Sequence, residues 1–292
     1  MHRFTPHLWF DTQAKEAAEL YTSLFEGSEI TSIRTLRDTP SGDADVVSFV
    51  LSGQPFMAIS AGPLFTFNPS VSFMVPCDGP EEVDRLWTGL IDGGSALMPL
   101  AEYPFSPRYG WVQDRYGLSW QIGQFPPAAQ RIVPALLFVG DVAGKAEEAI
   151  GLYTSVFDDA EVGRIQRYGA GAEPEREGTV MYADFALEGY GFAAMDSSFD
   201  HGFAFNEAVS FMIHCDKQQE IDRYWERLSA DPAAEQCGWL KDRFGLSWQV
   251  VPRALDRMMA EADDETLGRV TRAFLGMKKF DLAQLEAAYA GA

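Results

Sequence analysis

Positive charge is what this sequence has least of. Lys and Arg number 23 against 43 Asp and Glu, for a formal net charge of -20 at neutral pH. Such a field repels phosphate backbones and anionic lipid, so no nucleic-acid or membrane partner is expected. Cysteine is scarce too: Cys77, Cys215 and Cys237, with no CxxC pair. An odd count without paired spacing argues against a disulfide framework and for a reduced compartment. Met1 to Thr12 holds no long apolar stretch, and the longest apolar run, near Ile132 to Gly140, is about nine residues against the ~20 that span a bilayer. A cytoplasmic location is therefore expected. No Gly-x-Ser-x-Gly, His-Glu-x-x-His or P-loop string occurs. The one glycine-rich stretch, Gly169-Ala-Gly-Ala-Glu-Pro174, lacks a third glycine and runs into proline instead of a helix. It reads as a hairpin tip, not as a cofactor turn.

What is present is repetition. Val71-Ser72-Phe73-Met74 returns as Val209-Ser210-Phe211-Met212, each preceded by Phe-Asn (Phe67-Asn68, Phe205-Asn206). Glu82-Val-Asp-Arg-Leu-Trp87 returns as Glu220-Ile-Asp-Arg-Tyr-Trp225. Trp111-Val-Gln-Asp-Arg-Tyr-Gly-Leu-Ser-Trp-Gln-Ile122 returns as Trp239-Leu-Lys-Asp-Arg-Phe-Gly-Leu-Ser-Trp-Gln-Val250. So many matches in one order mark a duplicated domain. The boundaries read from them are 1–126 and 132–252, with Pro126–Arg131 as linker and 253–292 as a helical appendage. The spacing between matched residues shortens by about ten after Trp87, which places an insertion in the first copy around Met98–Pro107.

Periodicity predicts the elements of one copy. His7–Phe10 is a strand, and a helix capped by Asp11 or Thr12 runs to about Glu26. Strands follow at Ile30–Leu36, Val46–Leu51, Phe56–Ser60 and Val71–Val75, then a helix at Pro80–Leu90. A closing hairpin, Trp111–Gln113 and Leu118–Ile122, turns on Asp114-Arg-Tyr-Gly117. After Pro252, helices are expected from Asp263 to about Met277 and from Asp281 through Tyr289. This is an α+β chain of paired βαβββ modules.

The opening His7-Leu-Trp-Phe strand before an Ala-rich helix, the Phe-Asn-x-x-x-Ser-Phe-Met string and the Asp-Arg-Tyr/Phe-Gly-Leu-Ser-Trp-Gln ending resemble the vicinal-oxygen-chelate superfamily of glyoxalases, bleomycin-resistance proteins and extradiol dioxygenases. Within it they are similar to the PhnB-like branch, labelled 3-demethylubiquinone 3-methyltransferase-like. The resemblance implies a sheet curved around a small-molecule pocket. It also implies pairing of the tandem copies as a pseudo-dimer, with a further homodimer open. In metal-using members the ligands lie on the first, middle and closing strands. Carried over, these positions are His7, Ser72 and Gln121 in the first copy and Ala135, Ser210 and Gln249 in the second.

Serine and glutamine are poor divalent-metal ligands and alanine is none. No cofactor is therefore expected with confidence; a metal, if one binds, would rest on His7 and Gln121. Alternation puts His7 and Trp9 on one face of their strand, and Ser119 and Gln121 on one face of theirs. The candidate pocket residues are His7, Trp9, Ser72, Trp111, Gln121, Ser210, Trp239 and Gln249. The expected function is binding of an unidentified small molecule. The alternatives are a glyoxalase- or dioxygenase-type enzyme around His7 and Gln121, or a structural protein with vestigial pockets. Because His7 meets Ala135 in the second copy, chemistry is expected in the first copy. The remaining shared residues, Cys77/Cys215 and the Asp114/Asp242 turns, read as packing and hairpin structure, and His201 as a loop residue beside the second pocket.

Overall fold

A computed structural model describes residues 3–126 and 129–291. His2 and, from the expected linker, Pro127 and Ala128 lie outside the described residues. The predicted strands and helices form close to their expected places. β1 (Phe4–Phe10), α1 (Ala14–Leu24), β2 (Glu29–Thr39), β3 (Gly42–Leu51) and β4 (Gln54–Ser60) make one βαβββ module. β5 (Val71–Cys77), α2 (Pro80–Ile91), β6 (Ser95–Tyr103), β7 (Ser106–Gln113) and β8 (Ser119–Gln124) make the next. The second repeat supplies β9 (Val133–Phe138), α3 (Ala146–Val156), β10 (Ala160–Arg167), β11 (Val180–Leu187) and β12 (Tyr190–Asp196). It continues with β13 (Val209–Cys215), α4 (Gln218–Leu228), β14 (Trp239–Lys241) and β15 (Ser247–Pro252).

The modules do not assemble repeat by repeat. One sheet runs β14-β15-β13-β1-β4-β3-β2, the other β10-β11-β12-β9-β5-β8-β7-β6. In the first, β1 is antiparallel to β13 with His7 opposite Ser210; in the second, β5 is antiparallel to β9 with Ser72 opposite Ala135. Each sheet therefore takes one module from each repeat. The compact units follow the sheets. Unit 1 is the chain up to Thr22, Ser28–Thr66 and everything from Asn206 onward; unit 2 is Ser23–Gly27 and Phe67–Phe205. Sequence repeat and compact unit are thus two different partitions of the chain.

Local chemistry explains the recurring strings. Asp114 is buried; its Oδ1 accepts from the Tyr116 and Leu118 amides at 2.9 and 3.0 Å, and its Oδ2 from Trp120 Nε1 at 3.0 Å. Asp242 repeats this with Phe244 and Leu246 at 2.8 and 3.1 Å and Trp248 Nε1 at 3.0 Å. One carboxylate thus caps the turn and fixes a core indole. Gly117 and Gly245 supply the positive φ, +87° and +86°, that this turn requires. The first-copy insertion forms β6 and its turn into β7, whereas the second repeat keeps only the three-residue β14.

Two points differ from expectation. α1 is capped by Ser60 of β4, whose Oγ accepts from the Ala14 amide at 3.1 Å, and not by Asp11 or Thr12. Beyond β15 there are three helices: α5 (Arg253–Glu261), unpredicted because Pro252 seemed to end the pattern, α6 (Asp264–Leu275) and α7 (Leu282–Ala290). Asp263 and Asp281 cap α6 and α7 as their positions predict, accepting from Thr266 and Gln284. These helices lie on the first sheet. Leu255, Met258, Leu267, Val270, Phe274 and Phe280 pack with Leu36, Val46, Met212 and Val251, and Met57 and Ile59 join them. Polar ties hold the arrangement: His214 bridges Thr5 Oγ1 (2.9 Å) and Asp256 Oδ2 (2.8 Å), and the Cys237 and Gly238 amides donate to the Met277 and Lys278 carbonyls. Gly238 has no Cβ because Phe280 stands where one would go.

Candidate functional site

Strand register lays the candidate residues out in rows. In unit 1 one row crosses the sheet as Lys241, Ser247, Ser210, His7 and Met57 on β14, β15, β13, β1 and β4. The equivalent row in unit 2 is Gln113, Ser119, Ser72, Ala135 and Ala193 on β7, β8, β5, β9 and β12. A neighbouring row holds Trp239, Gln249 and Met212 in unit 1, and Trp111, Gln121 and Met74 in unit 2. Alternation turns Phe4, Leu8, Phe211 and Trp248 to the opposite face, where Phe4 and Phe211 pack on Trp248.

This corrects the grouping read from sequence. His7 shares its sheet with Ser210, Gln249 and Trp239, whereas Ser72 and Gln121 belong to the other sheet. The reason is that β1 and β5 of one repeat each pair across to the other repeat, which a linear alignment of copies does not encode. The His7 row draws on both repeats, β1 from the first and β13, β14 and β15 from the second.

In unit 2 the polar groups answer one another. Tyr109 OH donates to Gln121 Oε1 at 2.8 Å, and Gln121 Nε2 donates to Ser72 Oγ at 2.7 Å. Trp111 Nε1 donates to Ser119 Oγ at 2.7 Å. Burial pushes the Tyr109 phenol well above its ordinary range, which keeps it a donor. Tyr103 and Phe105 of the insertion pack on the Tyr109 ring.

Unit 1 has the same strands and a different outcome. Gln249 Nε2 donates to Ser210 Oγ at 2.9 Å, but Cys237 takes the place of Tyr109 and brings no phenol. Trp239 does not bond Ser247. Its ring meets the His7 imidazole edge to face, centroids 5.3 Å apart at 89°, and meets Trp9 at 6.1 Å. Trp9 also packs on Phe65 at 5.1 Å and donates from Nε1 to the Gly62 carbonyl at 2.8 Å. Along this row two buried polar atoms are left without partners among the described residues: His7 Nδ1, on a side chain 4% exposed, and Ser247 Oγ, 1% exposed. Burial lowers the His7 pKa to about 3, so its ring is neutral at ordinary pH. Lys241, at the end of the row, is paired with Glu207 at 2.8 Å.

A divalent cation does not fit this row. One imidazole, two hydroxyls and an amide bring no carboxylate or thiolate, and no group of three or more His, Cys, Asp or Glu gathers among the described residues. Cys77 and Cys215 are buried, with thiols pushed up to about 12, so they are packing residues and not nucleophiles. His201 lies beside Ser197 (Nε2 to Oγ, 2.9 Å) and packs on Phe203 in unit 2. Ser247, which sequence reasoning did not single out, could have been found from its alignment with Ser119 once Tyr109 was seen to meet Cys237.

The family profile described as 3-demethylubiquinone-9 3-methyltransferase matches the chain twice, over residues 2–123 and 130–251. A Bacillus cereus PhnB protein is 40% identical, over 41% of this chain and 98% of its own, with a TM-score of 0.39. Glyoxalase I from Zea mays is 10% identical, over 88% of this chain and 96% of its own, with a TM-score of 0.52. A Bacillus subtilis protein described provisionally as a dioxygenase gives 11%, 88%, 89% and 0.51 for the same four quantities. The last two show a shared fold. No curated protein matches.

Proposed function

We propose that this chain, which belongs to the PhnB-like 3-demethylubiquinone-9 3-methyltransferase family in tandem form, is a small-molecule-binding protein whose ligand engages the His7 row of unit 1. The observation that carries this reading is the pair of unpartnered buried atoms, His7 Nδ1 and Ser247 Oγ, on one row of one sheet. Each such atom costs about 1–3 kcal/mol when left unmatched, a cost that a ligand offering hydrogen bonds would remove. The same row in unit 2 carries no such cost, since Ser119 is bonded to Trp111 and alanine stands where His7 would.

The surroundings define the ligand class. His7 is neutral and Lys241 is already paired, so no net charge is presented to a ligand. Trp9, Phe65 and Trp239 supply aromatic surface. A neutral, planar aromatic compound carrying a hydroxyl or carbonyl group matches these groups. Methyl transfer is not part of this reading. Gly169–Pro174 lies between the antiparallel strands β10 and β11 and opens no helix, so it is not a turn of the kind that cradles a nucleotide-like methyl donor.

Thermal-shift measurement against a panel of neutral phenols, aromatic ketones and quinones tests the proposal. A binder at a hundred times its Kd is expected to raise Tm by about 5 °C, with the shift lost in His7→Phe and kept in Gln121→Leu. A panel without shifts, or shifts that survive His7→Phe, would overturn it.

A further inference from the structure

We infer that Trp239 is a movable cover over His7 with two seats, and that its second seat is the one Trp111 occupies in unit 2. The inference rests on the His7 row being the ligand site, and it names the residue that controls entry.

The register is the same in both units. On β14 and β15, Trp239 stands opposite Gln249 and Lys241 opposite Ser247; on β7 and β8, Trp111 stands opposite Gln121 and Gln113 opposite Ser119. Tryptophan and serine therefore have the same backbone relation in each. In unit 2 that relation lets the indole N–H reach the serine oxygen, at 2.7 Å. In unit 1 the indole N–H bonds none of the described residues, the ring lies against His7, and Ser247 Oγ is buried and unpartnered. The difference has a local cause. At the row position beside Ser210, unit 1 has the His7 ring; beside Ser72, unit 2 has Ala135 and no ring to hold an indole.

Moving Trp239 to its second seat exchanges its edge-to-face contacts with His7 and Trp9 for one hydrogen bond and satisfies the Ser247 hydroxyl. It also uncovers His7. Two other approaches along this face are occupied. Met57, beside His7 on β4, and Met212, beside Gln249 on β13, are packed against the C-terminal helices. Trp239 sits on a three-residue edge strand and is only half-buried. Ligand entry therefore proceeds on the Trp239 side, when the indole takes the Ser247 seat.

The test needs no ligand. Diethyl pyrocarbonate acylates neutral imidazole, and peptide mass mapping of the full chain reads the rate at His7, with the exposed His201 as internal reference. In the wild type His7 is expected to react slowly relative to His201. Trp239→Ala is expected to raise the His7 rate tenfold or more. Ser247→Ala, which removes only an unpartnered hydroxyl, is expected to lower it about fivefold, because the second seat loses its acceptor. If Trp239→Ala does not fold, Trp239→Phe keeps a ring over His7 without an N–H and is expected to match Ser247→Ala. A His7 rate unchanged or raised in Ser247→Ala would overturn the two-seat gate. Reactivity that follows the serine while the aromatic panel gives no shift would leave the gate standing and remove the ligand reading; binding lost in His7→Phe with reactivity indifferent to Ser247 would do the reverse.

Discussion

The His7 face of unit 1 and the Gln121 face of unit 2 are built from the same strings in the same register, yet one is polar-satisfied and the other is not. In unit 2 a phenol, an amide and two hydroxyls close into bonded pairs, and Trp111 completes them. In unit 1 four residues differ at matched positions: Cys237 for Tyr109, His7 for Ala135, Met57 for Ala193 and Lys241 for Gln113. His7 brings one unpartnered polar atom, and with Trp239 against its ring Ser247 lacks the indole donor that Ser119 has in unit 2. A duplicated scaffold can thus carry one settled face and one unsettled face without altering a strand. The unsettled face is also where α5–α7 pack, so the C-terminal helices distinguish the units further.

The comparison can be broken most forcefully where the units should behave alike. Asp114→Ala and Asp242→Ala each remove a buried carboxylate holding two amides and an indole. Each is expected to cost about 3–5 kcal/mol in urea unfolding; a cost at one turn only would show that the shared hairpin does not support both sheets equally. Phe280→Ala probes what only unit 1 has. Emptying that buried ring site is expected to cost about 3–4 kcal/mol, and a loss under 1 kcal/mol would mean that the C-terminal helices are only loosely seated.

A pH comparison sharpens the role of His7. Its folded pKa is lowered to about 3 from 6.5, so the unfolded chain binds the extra proton between those values. The stability associated with a neutral His7 is complete above pH 6.5 and is lost as pH falls toward 3. At pH 5 the loss is about 2 kcal/mol, and His7→Phe should abolish that part of the slope. Equal slopes for wild type and variant between pH 7.5 and 5 would show His7 to be solvated. The smallest effect concerns the paired serines. Ser119→Ala leaves the Trp111 indole N–H without its acceptor and is expected to cost about 1 kcal/mol, whereas Ser247→Ala removes an unpartnered hydroxyl and should be neutral or slightly stabilising. Equal costs would mean that Ser247 is bonded in solution.

Much of this was legible in advance, and the limits have physical causes. The Asp-Arg-x-Gly turns and the Asp263 and Asp281 caps depend on neighbours within a few residues, and they stand where local chemistry puts them. α5 was missed because a proline at its N-cap reads as a stop when it can equally begin a helix. The α1 cap was misplaced because Ser60, distant in sequence, supplies it.

The sequence by itself determined that there are two copies, which residues alternate onto which face of each strand, and that His7 has no counterpart in the second copy. It could not determine which strands meet. A strand's hydrogen-bonding edges are backbone groups common to every residue, so the choice between pairing β1 with β5 or with β13 lies in the packing of whole modules. That choice, made only in the tertiary structure, gave His7 to Ser210, Ser247 and Gln249, and left Ser72 and Gln121 to complete one another.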